Sequence, residues 1–358
     1  MNYIPHEANL WDTRVTTLTR PHERALSLVF GELAMQAAET STVLVGTPGT
    51  VAARSNAEGT RFWVRRFSDG AGKRREEYLG NAADPAATRR IDDVRAKISA
   101  TNAAIARVRM LARAGYAVAD KKAFFTLASL HNYGVFRAGA FLVGSHAYGA
   151  LLNALGVRAV PYATEDVDIA RREALALPEV PSFLEMLRAT GVELIAVPEL
   201  DRRAPSSSFK ERGASHFRVD LLVPAKGRDY AVIPVPELKA HATGLPYLAY
   251  LLGASQIVPI LSTHGIVATR VPTPERYALH KILVSQLRGS AHPKVDKDLH
   301  QAAVLIDALA ERAPGAMEDA MAASPTAARR TLTRGIKALR AHLPRTAEAA
   351  WESLQTAP

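Results

Sequence analysis

Five residues carry the chemistry this sequence can do: Gly144, Ser145, Asp166, Asp168 and Asp220. In PYATEDVDIA, Asp166 and Asp168 stand at alternate positions of a strand-like run, with Val167 and Ile169 interleaved. Side chains at i and i+2 of a strand share a face. Two carboxylates so placed repel, and a hard divalent cation with oxygen ligands relieves the repulsion. An exposed acidic strand end is the plainer alternative. In SHFRVDLLVP, Asp220 lies among Val219, Leu221 and Leu222, where a buried neighbour would ordinarily be apolar, so its carboxylate needs a partner. With its strand beside the first, Asp220 would join Asp166 and Asp168 in holding two Mg2+ or Mn2+ ions, the arrangement used for in-line phosphoryl displacement.

The segment FRAGAFLVGSHAYGALLNALGV begins as a short apolar strand, breaks at Gly144-Ser145 and continues as a helix to Gly156. Such a junction offers backbone N–H groups and a hydroxyl at a helix N-terminus, a cradle for phosphate. Gly-Ser before a helix is equally a turn followed by an N-cap. His146, on the first turn, either contacts phosphate or caps the helix. The earlier GTPGT is no phosphate loop, because it lacks the Gly-Lys-Ser/Thr ending.

Taken together, strand–Gly-Ser–helix, then Asp166-x-Asp168 on a strand, then Asp220 on a later strand resembles the polymerase-beta-like nucleotidyltransferase superfamily, and within it a group of bacterial nucleotidyltransferase-fold proteins of unassigned role. The resemblance covers about residues 138–310. It implies an α+β fold with a mixed sheet flanked by helices. It implies that Gly144 and Ser145 hold the phosphates of a nucleoside triphosphate, that Asp166 and Asp168 bind Mg2+ or Mn2+, and that Asp220 binds the catalytic metal and helps deprotonate an attacking hydroxyl. It also implies that Lys281, on a helix beside the sheet, reaches the triphosphate. The activity expected is transfer of a nucleoside monophosphate from an NTP to a hydroxyl of RNA (a tRNA end among them), protein or a small molecule. The alternative is a catalytically silent nucleotide- or nucleic-acid-binding module of a toxin–antitoxin or phage-defence system.

Other elements must position these residues. Residues 1–118 read as an accessory region: a helix over 20–40, a loop or short strand, a β-hairpin from Arg61, and a helix over 87–116. The hairpin turn is flanked by Arg65, Arg66, Lys73, Arg74 and Arg75, with Phe62, Trp63 and Tyr78 interleaved. That pattern suits RNA phosphates and stacked bases, or simply a solvated hairpin. Residues 119–272 form the expected core, with the runs after Pro234 read as a helical turn and strands finishing its sheet.

Residues 273–358 read as a helical domain. Its first helix starts near Pro274 and ends before Gly289, with Tyr277, His280, Lys281 and Arg288 near one another and Leu279, Ile282, Leu283 and Gln286 more to the other side. Lys294, Lys297 and Asp298 read as surface charges on the next helix, and helices over 315–324 and 325–355 complete the domain, the last with a basic patch, ARRTLTRGIKALRAHLPR.

With 358 residues, 48% hydrophobic and 22% charged, the chain has the balance of a folded globular protein with room for more than one domain. A net charge of +10 favours polyanionic company, nucleic acid or nucleotide phosphates, or equally reflects an Arg-rich, Ala-rich proteome. The absence of cysteine excludes disulfides and thiolate chemistry. No leader-like or membrane-spanning run is evident, so a cytoplasmic location is expected.

Overall fold

The computed structural model describes residues 18–160, 164–198, 205–225, 230–288, 292–344 and 347–355. The chain divides into two compact units: residues 22–156 with 160–273, and residues 1–21 and 157–159 with 274–358. In the second of these, a two-residue strand β1 (Arg20–Pro21) pairs antiparallel with β6 (Val157–Arg158).

In the larger unit, α1 (Arg24–Glu39) is followed by a three-stranded antiparallel sheet, β2 (Thr50–Ser55), β3 (Arg61–Ser68) and β4 (Arg74–Asn81). The hairpin expected at Arg61 is β3–β4, and the stretch read as loop or short strand supplies a third strand. Helix α2 (Pro85–Arg113) starts cleanly, with Pro85 in its first turn and the Asp84 side chain accepting from the Ala86 N–H. Asp120 caps α3 (Lys121–Asn132) by accepting from the N–H groups of Lys122 and Ala123.

The main sheet has seven strands: β5 (Ala140–Val143), β7 (Asp166–Arg171), β8 (Leu194–Ala196), β9 (Ser208–Glu211), β10 (Arg218–Pro224), β11 (Val232–Val235) and β12 (Ala240–Leu245). Its path runs β11-β12-β10-β7-β5, with β9 paired to β10 and β8 to β9. Both parallel and antiparallel pairs occur: β10 is parallel to β7 and β12, while β5 is antiparallel to β7. Helix α4 (Gly144–Leu155) leaves β5 directly and stops at Gly156 in the left-handed conformation, whereas α5 (Phe183–Arg188) opens on a Ser182/Glu185 capping box. The fold is α+β, a mixed sheet flanked by helices, as the sequence indicated.

Beyond α6 (Leu248–Leu251), β13 (Ser255–Ser262) and β14 (Gly265–Pro272) depart from expectation: they do not finish the main sheet but pair with each other as a separate hairpin. Both strands are buried along most of their length because helices cover them. Phe30 and Leu33 of α1 and Val108 and Leu111 of α2 pack with Leu261, Ile266 and Ala268. Alternation in sequence marks strands, but it does not choose their partners.

In the smaller unit, α7 (Pro274–Leu287), α8 (Lys294–Arg312), α9 (Ala316–Ala322), α10 (Arg329–Leu339) and α11 (Glu348–Gln355) pack together, and Gly335 lets α10 come up against Ile282 of α7. The final stretch read as one helix is broken at Leu343-Pro344. Gly289 lies outside the described residues. Helix α7 lacks a solvated face around its polar residues: Tyr277 and His280 are buried along with Leu279, Ile282 and Leu283. Asp298, read as a surface charge, is 2% exposed. It survives burial because Lys281 Nζ (2.7 Å) and Arg288 Nε (3.1 Å) both donate to it. Among the described residues, no helix is long and apolar enough to cross a membrane.

Candidate active site

Strand register decides what the carboxylates can do together. Asp168 is the Cα partner of Asp220 across the parallel β7/β10 pair, and Asp166 is the partner of Arg218. On the far side of β10, Asp220 faces Ser208 and Arg218 faces Lys210, while on the far side of β7, Asp168 faces Val143. Partnered residues project to the same side of a sheet. Asp166, Asp168, Arg218 and Asp220 therefore form one polar patch two residues deep. The interleaved Val167, Ile169, Val219 and Leu221 are all fully buried, so one face of these strands is core and the other holds the acids, which stay partly open to solvent.

Gly144 joins the strand end to the patch. Its φ is +68°, and a Cβ built there would collide with the Asp168 carboxylate. Only glycine permits both the left-handed backbone and this close approach. The N-cap of α4, Val143, has no side-chain group to satisfy the first turn. Gly144 and Ser145 thus stand at a helix N-terminus whose partial positive charge points toward the acidic patch.

Two residues at the site were not identified as participants from the sequence, or were left open. Arg218 Nε donates to Asp220 Oδ1 at 2.7 Å, and its terminal nitrogen donates to Ser208 Oγ at 2.6 Å. Burial disfavours the guanidinium charge, but the hydrogen bond to Asp220 and the fields of Asp220, Asp166 and Asp168 outweigh it and raise the Arg218 pKa. The signal was available: Arg218 stands two residues before Asp220 in a strand, hence on its face. His146, on the first turn of α4, has its Nε2 buried without a hydrogen-bond partner. Burial lowers its pKa against the opposing pull of Asp120 and Asp166, so the ring is neutral at neutral pH.

Lys281 belongs to the smaller unit. Its ammonium is held by Asp298 and lies 5.5 Å from the centre of the Tyr277 ring. The basic hairpin is also more committed than its composition suggests. Arg65 is 3% exposed and donates to the carbonyls of Val45, Thr47 and Pro48 and to Glu77, so its guanidinium pins the β2–β3 edge to the loop before it. Arg66 pairs with Glu76, and Arg75 with the buried Asp69. Trp63 packs on α2 with Leu79 and Ile91. Lys73 and Arg74, beside the turn, are exposed and form no ion pair with any described residue.

The sheet thus sets carboxylates on two adjacent strands side by side, with a strand–Gly-Ser–helix junction at its end. The chain belongs to a nucleotidyltransferase family, whose family model matches residues 125–325. No curated protein and no solved structure matches the chain.

Proposed function

We propose that this chain transfers a nucleoside monophosphate from an NTP to a hydroxyl acceptor, with Mg2+ or Mn2+ held by Asp166, Asp168 and Asp220. The observation that carries this reading is the register of Asp168 opposite Asp220, with Asp166 on the same face and Gly144 against Asp168. The donors suit such an ion: hard carboxylate oxygens, partly solvated, on adjacent strands. Among the described residues, no three acidic or imidazole side chains already converge as a ready-made cage. The register aligns the carboxylates on one face, and a bound cation would draw them together.

The metal, when bound, supplies charge neutralisation at the phosphates. The protein's own part is positional and electrostatic. The first-turn N–H groups of Gly144 and Ser145 and the Ser145 hydroxyl receive the phosphates. Asp220 takes the proton of the attacking hydroxyl as its oxygen bonds to the α-phosphorus and pyrophosphate leaves. Lys281, whose triphosphate role comes from the resemblance alone, is held by Asp298 within the smaller unit. The acceptor is a hydroxyl of RNA or protein, and the net charge of +10, with Lys73 and Arg74 in no ion pair among the described residues, favours RNA.

The test is incubation of the full chain with each α-labelled NTP, Mg2+ or Mn2+, and total RNA or cell lysate. Metal-dependent incorporation that disappears in Asp166→Asn and Asp168→Asn is expected. Incorporation that survives those substitutions, or none with any NTP and acceptor pool, would refute the proposal.

A further inference from the structure

We infer that Arg218 is the resident counter-ion of the carboxylate patch, and that a divalent cation enters by displacing its guanidinium from Asp220. This inference rests on the reading of Asp166, Asp168 and Asp220 as the metal site, and it names the group that controls access to it.

Three carboxylates on neighbouring positions of one sheet face destabilise one another unless a positive charge lies among them. Register makes Arg218 the partner of Asp166 and places it two residues from Asp220 on the same face. Its side chain is latched at two points, Asp220 Oδ1 and Ser208 Oγ, and Ser208 is itself the register partner of Asp220 on the β9 side. The guanidinium therefore occupies Oδ1, one of the two oxygens that Asp220 can offer a cation.

Arginine cannot give up its proton to make way, so a metal that takes Oδ1 requires the side chain to move. The pair is built for exchange: the Arg218 side chain is 44% exposed and that of Asp220 22%, so solvent screens the attraction and offers the guanidinium somewhere to go. A deeply buried arginine, such as Arg65, would not yield in this way.

The experiment is Mn2+ binding to the full chain without nucleotide, read by the electron paramagnetic resonance of free Mn2+, together with thermal unfolding in metal-free buffer. Arg218→Gln is expected to bind Mn2+ up to about fivefold more tightly, the factor that corresponds to removing one partly exposed ion pair. The same variant should unfold at a lower temperature without metal, and the deficit should close as Mn2+ is added. Ser208→Ala keeps the charge but removes one latch, and should shift Mn2+ affinity in the same direction by less.

Unchanged or weaker Mn2+ binding by a cooperatively folded Arg218→Gln would overturn the inference. If that variant does not fold, unchanged affinity in Ser208→Ala overturns it instead. Asp168→Asn separates the two levels. If it binds Mn2+ like the unaltered protein, the metal-site reading fails, and the inference with it. If it loses Mn2+ while Arg218→Gln is unchanged, only the counter-ion inference fails.

Discussion

Asp168 and Asp220 are register partners on two parallel strands that lie 52 residues apart in the chain, and Gly144 meets the Asp168 carboxylate from the neighbouring strand end. Three segments of unrelated spacing thus reach one small patch of sheet. The alternation of acids with fully buried valine, leucine and isoleucine explains why: hydrophobic burial of Val167, Ile169, Val219 and Leu221 fixes the register, and the register turns the carboxylates to the open side.

Gly144→Ala should be costly for two reasons at once, a left-handed backbone and a Cβ driven into the Asp168 carboxylate. A loss of about 1–3 kcal/mol in unfolding free energy is expected. Gly31→Ala, within α1 where an added Cβ meets nothing within 4 Å, should instead gain about 0.5–1 kcal/mol. Denaturant midpoints of the two variants provide the check, and equal effects would contradict the geometry.

Arg65→Met tests whether this arginine is part of the core or part of an RNA surface. Substitution strips the donor from three carbonyls and from Glu77, so a loss of roughly 3–5 kcal/mol is expected. The double substitution of Lys73 and Arg74 by Gln should leave stability within about 0.5 kcal/mol and weaken RNA binding in low salt. A stable Arg65→Met that alone loses RNA would reverse the assignment.

Acid should destabilise the chain well before its carboxylates titrate. His146, His264, His300 and His342 all have lowered pKa values, each first because of burial. A histidine whose folded pKa is depressed takes its proton more readily when unfolded. Its contribution is complete above the ordinary value of about 6.5 and is lost as pH falls from there through the depressed folded value. Urea midpoints should therefore decline between about pH 7.5 and pH 5.5. A flat profile over that window would show that these rings are solvated.

Much of this architecture was legible in the sequence because local rules govern it. Asp166-x-Asp168 on a strand, Gly-Ser at a strand-to-helix junction and the hairpin at Arg61 follow from period and turn chemistry, and the α+β class from the family resemblance that those motifs carry. What was missed depends on distant pairing. The two-residue link Thr263-His264 marks β13 and β14 as a hairpin, but nothing near them says that the hairpin stands apart from the main sheet. The fate of Arg65 depends on carbonyls 17 to 20 residues away. Asp298 did carry a signal, since it continues the buried stripe of Ala302, Leu305 and Leu309 at helical spacing. A carboxylate on such a stripe calls for cationic partners, and α7 supplies them in Lys281 and Arg288.

The most direct measurement is the position of metal and nucleotide themselves: crystals soaked with Mn2+ and a nonhydrolysable NTP, with Mn2+ located by anomalous scattering. The account predicts anomalous peaks among Asp166, Asp168 and Asp220, with the triphosphate against Gly144-Ser145 and the Arg218 guanidinium withdrawn from Asp220. Peaks elsewhere, or a triphosphate bound away from that helix N-terminus, would contradict it.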